Sequence, residues 1–236
     1  MGIYLNPGNR GFWQAVRSKI YVDKSGLISY TNQLINTEEQ YLCVSRPRRF
    51  GKSMALKMLA AYYSRGCDSS HLFKGLNIEN DPAFREHLNQ YDVICLNMQQ
   101  FFIRAQGQDP TRYLEQAVME DLREEYGELL PERTTVLAEA LERIYAKTDK
   151  QFIFLIDEWD CVMRERKEAE DLQRHYLDFL RDLLKDQPYV ALAYMTGILP
   201  VKKYGQHSAL NMFWEYSMTD PFDLGITGLP PKLTRP

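Results

Sequence analysis

A mixed α/β architecture, with a mostly parallel sheet covered by helices on both faces in three layers, is the fold class this sequence predicts. Three observations predict it. Five short apolar runs, Tyr41–Ser45, Val93–Met98, Phe152–Asp157, Val190–Thr196 and Phe213–Met218, have the length and composition of buried strands. Stretches with apolar residues at helical spacing lie between most of them, as crossover connections in a parallel sheet require. Polar residues close the third and fourth runs (Asp157 with Glu158, and Thr196), which places them at the carboxyl edge of the sheet, where open α/β folds bind their ligands.

Taken in order, residues 1–19 contain Pro7, Gly8 and Gly11 and read as an irregular arm ending in a short helix around Trp13–Arg17. Tyr21–Leu34 reads as a helix, with Asp23 or Ser25 near its start and Leu27, Ile28 and Leu34 on one side. The first strand, Tyr41–Ser45, leads into a Pro-broken basic loop, Arg46–Phe50, and then Gly51-Lys52-Ser53 opens an almost wholly apolar helix. Strand, loop and buried helix joined by G-K-S describe a phosphate-binding loop. Gly51 lets backbone approach an anion without a Cβ in the way, and the free N–H groups of the helix start point at it. Lys52 reaches β- and γ-phosphates, and the Ser53 hydroxyl suits Mg²⁺. The full pattern, G-x-x-x-x-G-K-[ST], has Arg46 where its first Gly belongs. Alone, such a G-K-S also arises by chance at a helix start. The candidate nucleotide-contact residues are Arg46, Pro47, Arg48, Arg49, Phe50, Gly51, Lys52, Ser53 and Met54. The rival use of the Arg46, Arg48, Arg49 and Lys52 cluster is contact with nucleic-acid phosphates; its place in a phosphate loop favours nucleotide.

Beyond that helix, residues 66–81 read as a connecting loop and Asp81–Gln90 as a short helix with Pro82 in its first turn. Val93–Met98 is the second strand and Gln99–Pro110 a polar loop, with Asn97 and Gln99 near the carboxyl edge. Two amphipathic helices follow, from Thr111 and from Glu132, separated by Pro131. The third strand ends in Asp157-Glu158, so that Asp157 is placed to hold Mg²⁺ through water and Glu158 to polarise an attacking water. An acidic helix start after a core strand is the plainer alternative. Trp159 either packs in the core or shields the site. Leu172, Tyr176, Phe179, Leu180 and Leu183 mark a further helix, Val190–Thr196 the fourth strand, residues 200–211 a basic loop and Phe213–Met218 the fifth strand.

Four motifs in this order, YVDKSGLI at Tyr21–Ile28, RPRRFGKS ending at Ser53, LIDEWD ending at Asp160, and the stretch Thr196–Met218, resemble the predicted AAA-ATPase-like family of prokaryotic proteins. The resemblance runs from about Asn6 to Pro221. It implies a P-loop NTPase with a five-stranded sheet in the order 5-1-4-3-2, binding ATP with Mg²⁺. In that family Arg replaces the first P-loop Gly, so Arg46 fits it. The resemblance offers Thr196 as a sensor of the γ-phosphate or water; a strand-end Thr with a satisfied hydroxyl is the other reading. It also brings the segment before the first strand near the adenine, which makes Asp23 and Lys24 base-side candidates beside their plainer role as a solvated helix cap. Members usually continue into a helical lid and a nuclease-like domain of the PD-(D/E)XK type. Here the expected P-loop domain spans 1–221, with an arm and helix over 1–36, and a Pro- and Gly-rich tail occupies 222–236. That tail leaves the lid and its usual phosphate-sensing Arg in question.

Composition narrows the partners. The 236 residues, 44% hydrophobic, suffice for one sizeable core, and a net charge of −3 gives no global bias towards nucleic acid or membranes. Cys43, Cys67, Cys95 and Cys161 lack C-x-x-C spacing and the histidines lack metal-ligand spacing, which argues for a reduced compartment and against zinc. With no spanning apolar run and no signal-peptide pattern, a cytoplasmic location is expected. The expected activity is Mg²⁺-dependent ATP binding with slow hydrolysis, in which Glu158 and Thr196 are the catalytic candidates and Ser53 and Asp157 hold the metal. Two alternatives stand beside it: a nucleotide-gated interaction module with little turnover, and a fragment of a longer ATPase–nuclease protein. A protein or nucleic-acid partner and an oligomer are open possibilities.

Overall fold

In the computed structural model of the chain, which describes residues 1–201 and 209–216, five strands form one sheet. They are β1 (Tyr41–Ser45), β2 (Asp92–Asn97), β3 (Phe152–Asp157), β4 (Val190–Gly197) and β5 (Trp214–Tyr216). Every neighbouring pair is parallel and the order is β2-β3-β4-β1-β5, the expected order read from the opposite edge. Met218, the basic residues 202–208 and the tail lie outside the described residues.

Strands β1, β3 and β4 are buried along their whole length, as parallel strands covered on both faces must be. Because side chains alternate along a strand, the sheet feeds two separate cores. Leu42, Val44, Val93, Ile153, Leu155 and Leu192 join one core with α1 (Arg10–Val16), α2 (Gly26–Asn32) and α3 (Lys52–Tyr63), while Phe84 of the one-turn α4 (Phe84–His87) packs on its margin. Tyr41, Cys43, Ile94, Leu96, Phe154 and Met195 join the other. There they meet α5 (Met98–Arg104), α6 (Pro110–Tyr126), α7 (Leu137–Thr148), α8 (Cys161–Glu165) and α9 (Glu170–Leu184).

Several boundaries differ from the sequence expectation, each for a visible reason. Residues 98–104 form α5 instead of a polar loop: Asn97 caps it by accepting from the Gln100 N–H, and Met98 and Phe101 are buried. Met98 therefore opens a helix instead of ending β2. The helix expected from Tyr21 begins at Gly26, since the Asp23 carboxylate turns the chain by accepting from the Ser25 N–H and from Asn77 N–H across the surface. That expected from Glu132 begins at Leu137, whose N–H donates to Glu115 Oε1. Residues 66–81 contain two 3₁₀ turns that bury Leu72, Phe73 and Ile78.

The N-terminal arm is irregular, as expected, and covers the β2 edge. Cys95 N–H donates to Tyr4 O at 2.8 Å, Asn6 N–H donates to Val93 O at 2.7 Å, and Leu5 bridges Ile94 antiparallel. The short helix that follows starts at Arg10, earlier than Trp13. Asp92, buried at the start of β2, ties this edge together: it accepts from Asn6 Nδ2, from Arg65 Nε at 2.7 Å and from the Tyr126 hydroxyl at 2.6 Å. Burial first, and then this bond to Asp92, raises the Tyr126 hydroxyl pKa. Asp92→Ala strands three donors at once, so it should lower stability by about 3 kcal/mol, read as a fall in the urea midpoint with an unchanged slope.

Candidate functional site

At the carboxyl edge of the central strands the phosphate-loop and acidic motifs meet. β1 carries the chain into the exposed loop Pro47–Phe50, and Arg49 takes a left-handed φ of +72°. Gly51, at φ +79°, then turns the chain into α3 as its N-cap. Only a residue without Cβ adopts that angle freely, and no side chain caps the helix, so the first N–H groups of a twelve-residue helix face outward. Lys52 follows directly and is buried; its Nζ donates to Arg46 O at 2.8 Å and to Pro47 O at 3.0 Å. The ammonium is thus drawn under its own loop.

Ser53 Oγ donates to Asp157 Oδ2 at 2.6 Å, joining residues 104 apart in sequence. The other oxygen of Asp157 accepts from Thr196 Oγ1 at 2.6 Å and from the Glu158 N–H at 3.0 Å. A single carboxylate therefore ties α3, β3 and β4 together. Ser53, Asp157 and Thr196 come together as the motif reading expects. Mg²⁺ takes hard oxygen ligands, and the hydroxyl and carboxylate of Ser53 and Asp157 are of that kind, held side by side at a helix N-terminus. Asn97 lies beside Asp157 in register but spends its carbonyl on the α5 cap.

Glu158 departs from the simple picture. Its backbone is left-handed at φ +54°, and its carboxylate pairs with Arg164 of α8. Asp160 closes the LIDEWD motif without being singled out there, and Arg164 lies outside it; the signal that joins them is only their i, i+4 spacing. Trp159 is fully buried and its backbone N–H donates to Thr196 O at 3.1 Å, so it serves the core instead of screening the site. Burial pushes the thiol of Cys161 up to about 12, which removes it as a nucleophile near neutral pH.

Beside the loop lies a cleft of ≈ 420 Å³ lined by Ile20, Tyr21, Val22, Phe50, Met54 and Met58, among others. Lys24 stands at its mouth and donates to Phe50 O at 3.2 Å, so of the two base-side candidates Lys24 reaches the loop while Asp23 is spent on the 77 turn. Arg48 and Arg49 are exposed. No cluster of three metal-ligating side chains occurs among the described residues, and no helix among them is long and apolar enough to cross a membrane.

An uncharacterized protein encoded in the vnfD 5′ region of Azotobacter chroococcum mcd 1 is 26% identical over 195 residues, covering 81% of this chain. The chain spans 36% of that relative's length. The solved structure of C. elegans PCH-2 aligns over 91% of this chain and 42% of its own, at 13% identity with a TM-score of 0.34. The family model described as "Predicted AAA-ATPase" matches residues 14–206, so the chain belongs to the AAA-ATPase-like family.

Proposed function

We propose that this chain is a P-loop NTPase domain that binds ATP with Mg²⁺ and hydrolyses it slowly. The observation that carries the reading is the 2.6 Å hydrogen bond from Ser53 to Asp157, which unites the helix-start lysine and the acidic strand end in one site. Both motifs are common separately. Together at the carboxyl edge of a parallel sheet they form the arrangement that phosphoryl chemistry needs.

In this reading the N–H groups at the start of α3 and the Lys52 ammonium hold the phosphates. Lys52 exchanges its two carbonyl partners for phosphate oxygens, replacing neutral acceptors with anionic ones. Ser53 and Asp157 hold Mg²⁺, whose chemistry is to neutralise charge on the phosphates. Glu158 accepts the proton of the attacking water, and Thr196, whose hydroxyl reports on Asp157, senses the γ-phosphate side. Met54, Phe50 and the 20–22 segment offer an apolar wall to the base, with Lys24 at its edge. Arg46, Arg48 and Arg49 supply positive charge around the loop, and Pro47 shapes it.

Lys52→Ala should weaken Mg·ATP binding about 10–100-fold or more, the worth of a lost charged hydrogen bond or two, while thermal melting stays cooperative. Isothermal titration measures it, and near-native affinity would remove the phosphate-loop assignment. Glu158→Gln should keep that affinity and slow phosphate release by about 10²–10⁴, because an amide cannot take a proton. Asp157→Asn should instead flatten the dependence of binding on Mg²⁺ concentration. Hydrolysis by Glu158→Gln at the native rate would reduce Glu158 to a helix-start acid.

A further inference from the structure

Asp160 and Arg164, which the phosphate-loop reading leaves unused, form a sheltered bridge to Glu158. Arg164 Nη2 pairs with Glu158 Oε2, and its Nε lies 3.2 Å from Asp160 Oδ2. The side chains are 14% exposed for Arg164, 23% for Glu158 and 0% for Asp160, so this is not a solvated surface pair of small worth. Asp160 is itself fixed: the same Oδ2 accepts from the N–H groups of Ile198 and Leu199, at 3.0 and 2.8 Å, in the loop leaving β4. Among the described residues its other oxygen and Arg164 Nε make no well-aligned hydrogen bond although both are buried. A fold that retains two such costly groups beside a site is holding something in place.

What they hold is a flexible carboxylate. A glutamate has three rotatable side-chain bonds, and ordering it costs conformational entropy. The backbone of Glu158 is anchored by its own N–H bond to Asp157 Oδ1 and by its left-handed φ. The side chain has Arg164 as its sole hydrogen-bonded partner among the described residues, on Oε2, which leaves Oε1 free to take a proton. A guanidinium is a planar fork that can span two carboxylates, here Glu158 and Asp160. Asp160 in turn ties the fork to the end of β4, two residues beyond Thr196.

We infer that Arg164, anchored by Asp160, is the positioning residue for Glu158, aiming its carboxylate and coupling that aim to the β4 end that carries Thr196. This rests on the hydrolytic reading of the site above. Two features argue for aiming over mere stapling of α8. The bridge leaves one carboxylate oxygen unbonded, and its anchor reaches across to the strand that carries the second candidate of the site.

The test uses the full chain with enzyme in excess over γ-labelled ATP, following single-turnover phosphate release, with Mg·ATP affinity and thermal melting measured on the same samples. Arg164→Ala should bind Mg·ATP with native affinity and release phosphate about 10–100-fold more slowly, the cost of a misplaced catalytic group. Millimolar guanidinium should restore part of that rate in Arg164→Ala and leave the native chain unchanged. Arg164→Lys keeps the charge but not the fork, and should fall between the two. It also keeps the test open if Arg164→Ala melts early, because a folded Arg164→Lys with the native rate overturns the inference. So does an unchanged or faster rate in folded Arg164→Ala, or a slow rate that guanidinium does not lift. Absence of Mg·ATP binding by the native chain would overturn the nucleotide reading itself. Native binding with a native rate in Glu158→Gln would overturn the base assignment and this inference with it, while leaving the phosphate loop intact.

Discussion

The site depends on one carboxylate. Asp157 ends β3, and each of its oxygens takes a different neighbour: Ser53 from α3 on one side, Thr196 from β4 and the Glu158 N–H on the other. A buried carboxylate left without donors is costly, and here three donors meet that cost while locking together the ends of three sequence-distant elements. The same contacts explain why the polar residues cluster at one edge. Parallel strands all deliver their last residues to the same side, so three polar ends that solvate one another are compatible with an otherwise apolar sheet.

Two of the left-handed non-glycine residues lie in the motifs that form the site. Glu158 and Arg49 both adopt left-handed backbone angles without being glycine, at +54° and +72°. Each such residue costs of order 1 kcal/mol or more and persists only where its surroundings over-determine it. For Glu158 those surroundings are visible: a backbone bond to Asp157, an ion pair to Arg164, and a following residue, Trp159, buried and bonded to Thr196 O. Gly197, next on β4, leaves the room this needs. A Cβ there would lie 2.6 Å from Trp159 Nε1 and 3.0 Å from Asp160 Oδ1. The bend after β3 and the end of β4 are thus packed against each other at contact distance, and a change at either strand end reaches the other.

The fold was largely legible in sequence because its signals were local. The mostly apolar runs of β1, five residues ending in Ser45, and of β3, six residues ending in Asp157, have the length of a buried parallel strand, and Gly51-Lys52-Ser53 marks a helix start by residue type alone. What stayed hidden depends on partners far along the chain. The seven residues of α5 are too few to show a period, and only burial of Met98 and Phe101 with the Asn97 cap makes them helical. The arm that covers β2 contributes main-chain bonds at Tyr4 and Asn6, which are independent of side-chain type and leave no pattern. Asp23 looked like a helix cap and is one half of a turn whose other half lies at Asn77, 54 residues on.

The candidate site divides along the same line. Lys52, Ser53 and Asp157 were readable as candidates since the phosphate-loop and acidic-strand patterns call for those residue types in fixed spacing with their own strand or helix. Arg164 and Asp160 were not, because an i, i+4 pair of opposite charge on a helix is ordinarily a solvated pair worth a few tenths of a kcal/mol. Burial changes its meaning. At 14% and 0% exposure the pair loses the screening that makes surface pairs weak, and both groups must then be satisfied by protein. Asp160 finds the backbone of Ile198 and Leu199, and Arg164 finds Glu158. The requirement that a buried charge be paired therefore links the strand end bearing Thr196 to the carboxylate bearing the catalytic expectation, through contacts that no motif records.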